Sequence, residues 1–76
     1  MHVTIAKVHE NLFSGDANSL TAPTTEGVIT ILPKHEPFVA HLREGTLIVQ
    51  TPQGAREFPV TDGVLEVSGN QATVIL

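Results

Sequence analysis

Turn chemistry interrupts this chain every few residues and leaves no room for a helix. Glu26-Gly27, Glu44-Gly45, Thr51-Pro52-Gln53-Gly54, Asp62-Gly63 and Ser68-Gly69-Asn70 punctuate it at short intervals, as does Ser14-Gly15 near the start, and Pro33 and Pro37 break the middle. Between the breaks, apolar residues recur at every second position. Val3 and Ile5 flank Thr4, and Phe58 and Val60 alternate with Glu57 and Pro59. Ala72, Val74 and Leu76 share one face, with Thr73 and Ile75 on the other. A period of two marks half-buried strands. Thr51 to Gly54 has proline second and glycine fourth, as a type I turn prefers, and Asp62-Gly63 and Gly69-Asn70 tolerate the positive φ of tight hairpins. Strands are expected at about 2–8, 11–14, 17–22, 27–32, 37–42, 46–51, 55–60, 63–67 and 70–76. Many short, evenly spaced strands predict an all-β unit, a β-sandwich or flattened barrel, in a single domain over 1–76.

A chain of 76 residues buries only about 60% of the surface its unfolded form exposes, so the core is small. A unit this size without staples can draw part of its stability from a partner. It has no cysteine, hence no disulfide and no thiolate metal site. A hydrophobic content of 41% with 16% charged residues belongs to a folded chain. Nucleic-acid binding needs clustered cations. Here Lys7, Lys34, Arg43 and Arg56 are scattered, the net charge is −4, and there is no Tyr or Trp to stack on bases, so no nucleic-acid partner is expected. The N-terminus shows no basic region followed by an apolar segment, so no signal peptide is expected. No apolar run approaches the about 20 residues of a membrane span.

Between Glu26 and Leu42 the chain reads as two apolar strands joined by a corner. Pro33 and Pro37, lacking amide protons, exclude a central strand there. They bound a stiff bend with Lys34, His35 and Glu36 at its apex and Phe38 just beyond. Such a bend is expected to dock a partner rather than to perform catalysis.

The candidates for chemistry each meet a plainer explanation. His2 and His9 would lie on opposite faces of one strand, and His35 and His41 are separated by Pro37, so no metal site is expected. Glu57 and Glu66 are placed on neighbouring strands where they could face each other as a glycosidase pair must, but alternation with Phe58 and Leu65 accounts for them as solvated faces. Ser14, Ser19 and Ser68 lie outside any Gly-x-Ser-x-Gly elbow, and no glycine-rich phosphate loop occurs. No catalytic residue and no cofactor is expected.

Several fragments in order carry a resemblance. Leu12-Phe13-Ser14-Gly15, Pro23, Glu26-Gly27, Ile31-Leu32-Pro33-Lys34-His35-Glu36-Pro37, Leu42 to Gly45, Asp62-Gly63-Val64-Leu65-Glu66-Val67 and Ala72-Thr73-Val74-Ile75-Leu76 follow one another as they do in the epsilon subunits of F-type ATP synthases. The chain resembles their N-terminal domain, which implies a ten-stranded (eight to ten) β-sandwich in the central stalk of the rotor. The resemblance further implies a non-catalytic subunit that docks the gamma subunit to the c-ring, couples proton or sodium transport to ATP synthesis, and shares a complex with the catalytic alpha and beta subunits. It implies membrane association only through that complex, on the cytoplasmic face of a bacterial plasma membrane or the matrix or stromal side of an organelle. Carried over by position, Lys34, His35, Glu36 and Phe38 are the gamma-side candidates, and Glu26, Gly27 and Val28 the c-ring candidates.

Departures from the family pattern also set expectations. Lys34, Thr30 and Asp62 stand where relatives often have glycine, so a corner needing positive φ at Lys34 would be strained or differently shaped. Relatives continue beyond the position of Leu76 into a helical hairpin that inhibits ATP hydrolysis, and residues 1–76 alone are expected not to inhibit. His35→Ala with Phe38→Ala is expected to weaken gamma binding. The alternatives are a free-standing β-sandwich module whose ligand pocket would be lined by aromatics, and a small metal-dependent enzyme of β-barrel type.

Overall fold

A computed structural model describes residues 1–76 as nine strands and no helix. They are β1 (His2–Lys7), β2 (Glu10–Asp16), β3 (Ser19–Thr24), β4 (Gly27–Ile31), β5 (Phe38–Leu42), β6 (Gly45–Thr51), β7 (Gly54–Val60), β8 (Gly63–Ser68) and β9 (Gln71–Ile75). The expected all-β architecture stands, with nine strands inside the range of eight to ten.

Two layers share one connection. Five strands run in the order β2-β1-β9-β8-β5, and β4-β3-β6-β7 form the other layer. The layers join where Thr24 at the end of β3 pairs with Leu42 of β5. Every pairing is antiparallel except β1 with β9. Strand ladders supply 39 of the 46 backbone hydrogen bonds, so most backbone polar groups are satisfied within the sheets.

The inward positions of each strand build the core. Val3 and Ile5 of β1, Leu20 of β3, Leu47 and Val49 of β6, Leu65 of β8 and Val74 of β9 have no exposed surface. Each such side chain contributes about 1.5–3 kcal/mol of burial. The alternations read from the sequence at Val3/Ile5, Phe58/Val60 and Ala72/Val74 match the buried or half-buried faces.

Three local readings change. Ser14-Gly15 is not a turn: both residues lie within β2, Gly15 opposite Val3, and the Phe13 ring covers the space where a Gly15 side chain would stand. β2 is therefore longer than expected. A register shift at Ile5/Ala6 leaves Leu12 without a partner, and this bulge turns both Leu12 and Phe13 against the core. Third, β3 runs on through Pro23, because β3 pairs with β6 only over Ser19–Thr21 and reaches β5 only at Thr24. Pro23 sits in the gap between these neighbours, where a missing N–H costs nothing on that side, and its carbonyl accepts from Arg43 N at 3.0 Å.

Candidate functional site

The proline corner is a type II turn. His35 N donates to Leu32 O at 3.2 Å, Pro33 takes the second position, and Lys34 takes the third with φ 65°. That third position calls for positive φ and favours glycine, so the strain expected at Lys34 is present. The Lys34 N–H points across to the β8–β9 turn and donates to Asn70 Oδ1 at 2.8 Å. That turn has φ 59° at Gly69 and 61° at Asn70, the type I′ pattern that matches the twist of a tight hairpin.

Above the turn, Lys34, His35 and Glu36 are exposed. His35 Nδ1 lies 2.8 Å from Glu36 O, which makes Nδ1 the donor in that contact. Its ring leans on Phe38 with centroids 5.0 Å apart. Phe38 is half-buried and packs on the core, so it supports His35 as well as lining the surface.

The Thr25–Val28 turn is preset in another way. Thr24 is buried; its Oγ1 donates to Gly27 O at 2.6 Å and accepts from Glu26 N at 3.1 Å. Gly27 has φ 116°, and Glu26 and Val28 project outward, Val28 with 73% of its surface exposed. Thr51-Pro52-Gln53-Gly54 repeats the device: Thr51 Oγ1 donates to Gly54 O at 2.7 Å and accepts from Gln53 N at 3.1 Å, with Gly54 at φ 126°.

The two candidate surfaces lie at opposite ends of β4 and β5. β4 leads from Gly27 to the corner, and β5 returns from Phe38 to Leu42, where Thr25 N donates to His41 O at 3.0 Å. Five strand residues put about 13 Å between them, within a body of 26 × 25 × 20 Å.

Sequence reasoning passed over Val39, Val64 and Ile75. All three are exposed, Val39 by 65%, and they sit on the outer face of β5-β8-β9 with His41 opposite Val64 and Val64 opposite Ile75. The signal was there in adjacent apolar pairs, Phe38-Val39, Val64-Leu65 and Val74-Ile75, where strict alternation fails.

Other placements differ from expectation. Glu57 and Glu66 are not on neighbouring strands: Glu57 pairs with Ile48 of β6, and Glu66 pairs with Val39 and Thr73. Sequence proximity of β7 and β8 suggested a hairpin, but each strand is laddered into a different layer. His2 and His9 do not share a strand, since His9 lies in the turn after β1. His2 Nε2 comes within 3.2 Å of Ser14 Oγ, an exposed contact across the β1–β2 ladder. No three His, Asp or Glu side chains gather at a point. One groove runs between Phe13–Asp16 and Thr51–Arg56, another beside Lys7, Pro59–Asp62 and Leu76, and of the three Phe residues only Phe13 lines either.

This fold has counterparts among known proteins. The family described as the ATP synthase delta/epsilon chain, β-sandwich domain, matches residues 1–76. The chain belongs to this family. Similar proteins include an ATP synthase epsilon chain of Nitrosococcus oceani, 38% identical over 99% of this chain and 54% of the relative. An ATP synthase epsilon chain of Psychrobacter arcticus is 43% identical over 93% of this chain and 52% of the relative. The chain thus spans about half the length of the curated relatives it matches. In fold it is similar to a chain in the cryo-EM structure of Euglena gracilis mitochondrial ATP synthase (OSCP/F1/c-ring, rotational state 1), with a TM-score of 0.88 at 22% identity over 96% of this chain and 48% of that one. A chain in the Tetrahymena thermophila mitochondrial ATP synthase central stalk/c-ring structure gives 0.81 at 22% identity, over 99% and 61%.

Proposed function

We propose that this epsilon-family domain is a non-catalytic block in the central stalk of a rotary ATP synthase, gripping the gamma subunit at the proline corner and the c-ring at the Thr25–Val28 turn. In this role it couples proton or sodium transport to ATP synthesis by transmitting torque, and it meets the membrane only through the complex. One observation supports the reading above the others: two exposed turns, each held by hydrogen bonds, stand at opposite ends of β4 and β5. A body that joins two partners needs two such ends. It also needs stiffness between them, which a close-packed sandwich provides.

On the gamma side Lys34, His35 and Glu36 offer polar contacts, and Phe38 braces His35. The exposed Val39, next to Phe38 on β5, adds apolar area beside that corner. On the c-ring side Glu26 and Val28 project beyond the backbone bend at Gly27. The test is co-purification: a tagged chain, expressed in cells that assemble the synthase, carries gamma, alpha and beta subunits with it. His35→Ala with Glu36→Ala weakens capture of isolated gamma, whereas Val28→Glu weakens capture of detergent-solubilised c-ring and spares gamma. Loss of both partners with either variant, or of neither, refutes the two-ended assignment.

A further inference from the structure

We propose that Asn70 is a positioning residue for the gamma-docking corner, and that its side-chain amide sets the shape gamma recognises; this rests on the docking reading above. Asn70 is 36 residues from Lys34 in sequence, on the β8–β9 turn, yet its Oδ1 accepts the Lys34 N–H at 2.8 Å. Lys34 holds a left-handed backbone that a residue with a side chain adopts at a cost. The turn's own bond, His35 N to Leu32 O, is long at 3.2 Å. A strained turn with a weak internal bond persists only where its surroundings over-determine it. Here the surroundings are Pro33, Pro37 and Asn70, and of the three only Asn70 ties the bend to the sheets.

The geometry at Asn70 has the same logic. Its own φ of 61° is one that asparagine tolerates better than other side chains, and in that conformation the carboxamide faces the corner. Glycine at position 70 would keep the type I′ turn and lose only the acceptor. Aspartate would keep both. With the acceptor gone, the corner samples other shapes, and gamma selects the competent one from a smaller population, so apparent affinity falls by that fraction.

Three proteins are compared: the wild-type chain, Asn70→Gly and Asn70→Asp. Gamma affinity is measured by calorimetry, and amide exchange at Lys34 by NMR. Asn70→Gly is expected to bind gamma about fivefold more weakly, the size of one lost hydrogen bond. It is also expected to speed exchange at Lys34 while leaving β8 and β9 amides protected, and Asn70→Asp restores both. A turn that merely stabilised the sandwich would change global unfolding and not the Lys34 amide alone. Equal gamma affinity and equal Lys34 exchange in wild type and Asn70→Gly overturn the role of Asn70. Failure of the wild-type chain to bind gamma overturns the docking reading itself, and the proposal with it.

Discussion

Lys34 is the residue at which local preference and tertiary demand disagree most openly. Pro33 fixes the first half of the turn, so the positive φ falls on the next residue, and that residue is lysine. A left-handed backbone costs a side-chain-bearing residue about 1–2 kcal/mol, and glycine returns about 0.5–1 kcal/mol of that by loosening the unfolded chain. Lys34→Gly is therefore expected to stabilise the domain by about 0.5–1 kcal/mol, read as a higher urea midpoint with an unchanged m-value. Gly63 is the opposite case. Its φ is 149°, and a Cβ there would stand 2.5 Å from Ile75 O, so Gly63→Ala must push β8 away from β9. A lower melting temperature for that variant, with Gly69→Ala hurt less because nothing crowds that position, is the expected ranking by thermal unfolding.

At the scale of elements, the hairpins β3–β4 and β6–β7 are built alike. Each starts at a buried threonine whose hydroxyl binds both ends of a two-residue loop, and each ends on a glycine of positive φ. Thr24 and Thr51 are the buried polar side chains of the molecule, and in both the hydroxyl is fully used. Removing it strands a backbone N–H and a carbonyl, at about 1–3 kcal/mol. Thr24→Val and Thr51→Val are each expected to lower stability by about that amount, with serine at either site costing far less. Because the loops lie at opposite ends of the molecule, the double variant should show the sum of the two losses in chemical denaturation.

For the molecule as a whole, the open question is how the sheet path closes. Its terminal strands are β2 and β7, and side chains bring them together. Phe13 of β2 meets Phe58 of β7 edge-on with centroids 6.0 Å apart, and the Arg56 guanidinium lies 5.6 and 5.5 Å from the two rings. A double-mutant cycle between Phe13→Leu and Phe58→Leu is expected to give a coupling of about 0.5–1.5 kcal/mol. Zero coupling would mean that the seam holds by burial alone. The core behind it has little reserve: a domain this size has about 4–11 kcal/mol of stability, and Leu65→Ala, at a fully buried site, removes about 2–5 kcal/mol.

Period-two patterning and turn chemistry were enough to place most of the strands, the Pro33–Pro37 bend and the hairpin turns after Thr51 and Ser68, because each depends on backbone preferences within a few residues. The strain at Lys34 was marked by the glycine that relatives carry there. Tertiary structure alone decided the partners of each strand. It separated Glu57 from Glu66, drew Gly15 into β2 under the Phe13 ring, carried β3 through Pro23 into the gap between two neighbours, and set Asn70 against Lys34. These outcomes follow from long-range pairing and packing, whose free energy depends on which surfaces meet, and a local pattern of apolar and polar residues holds no record of that.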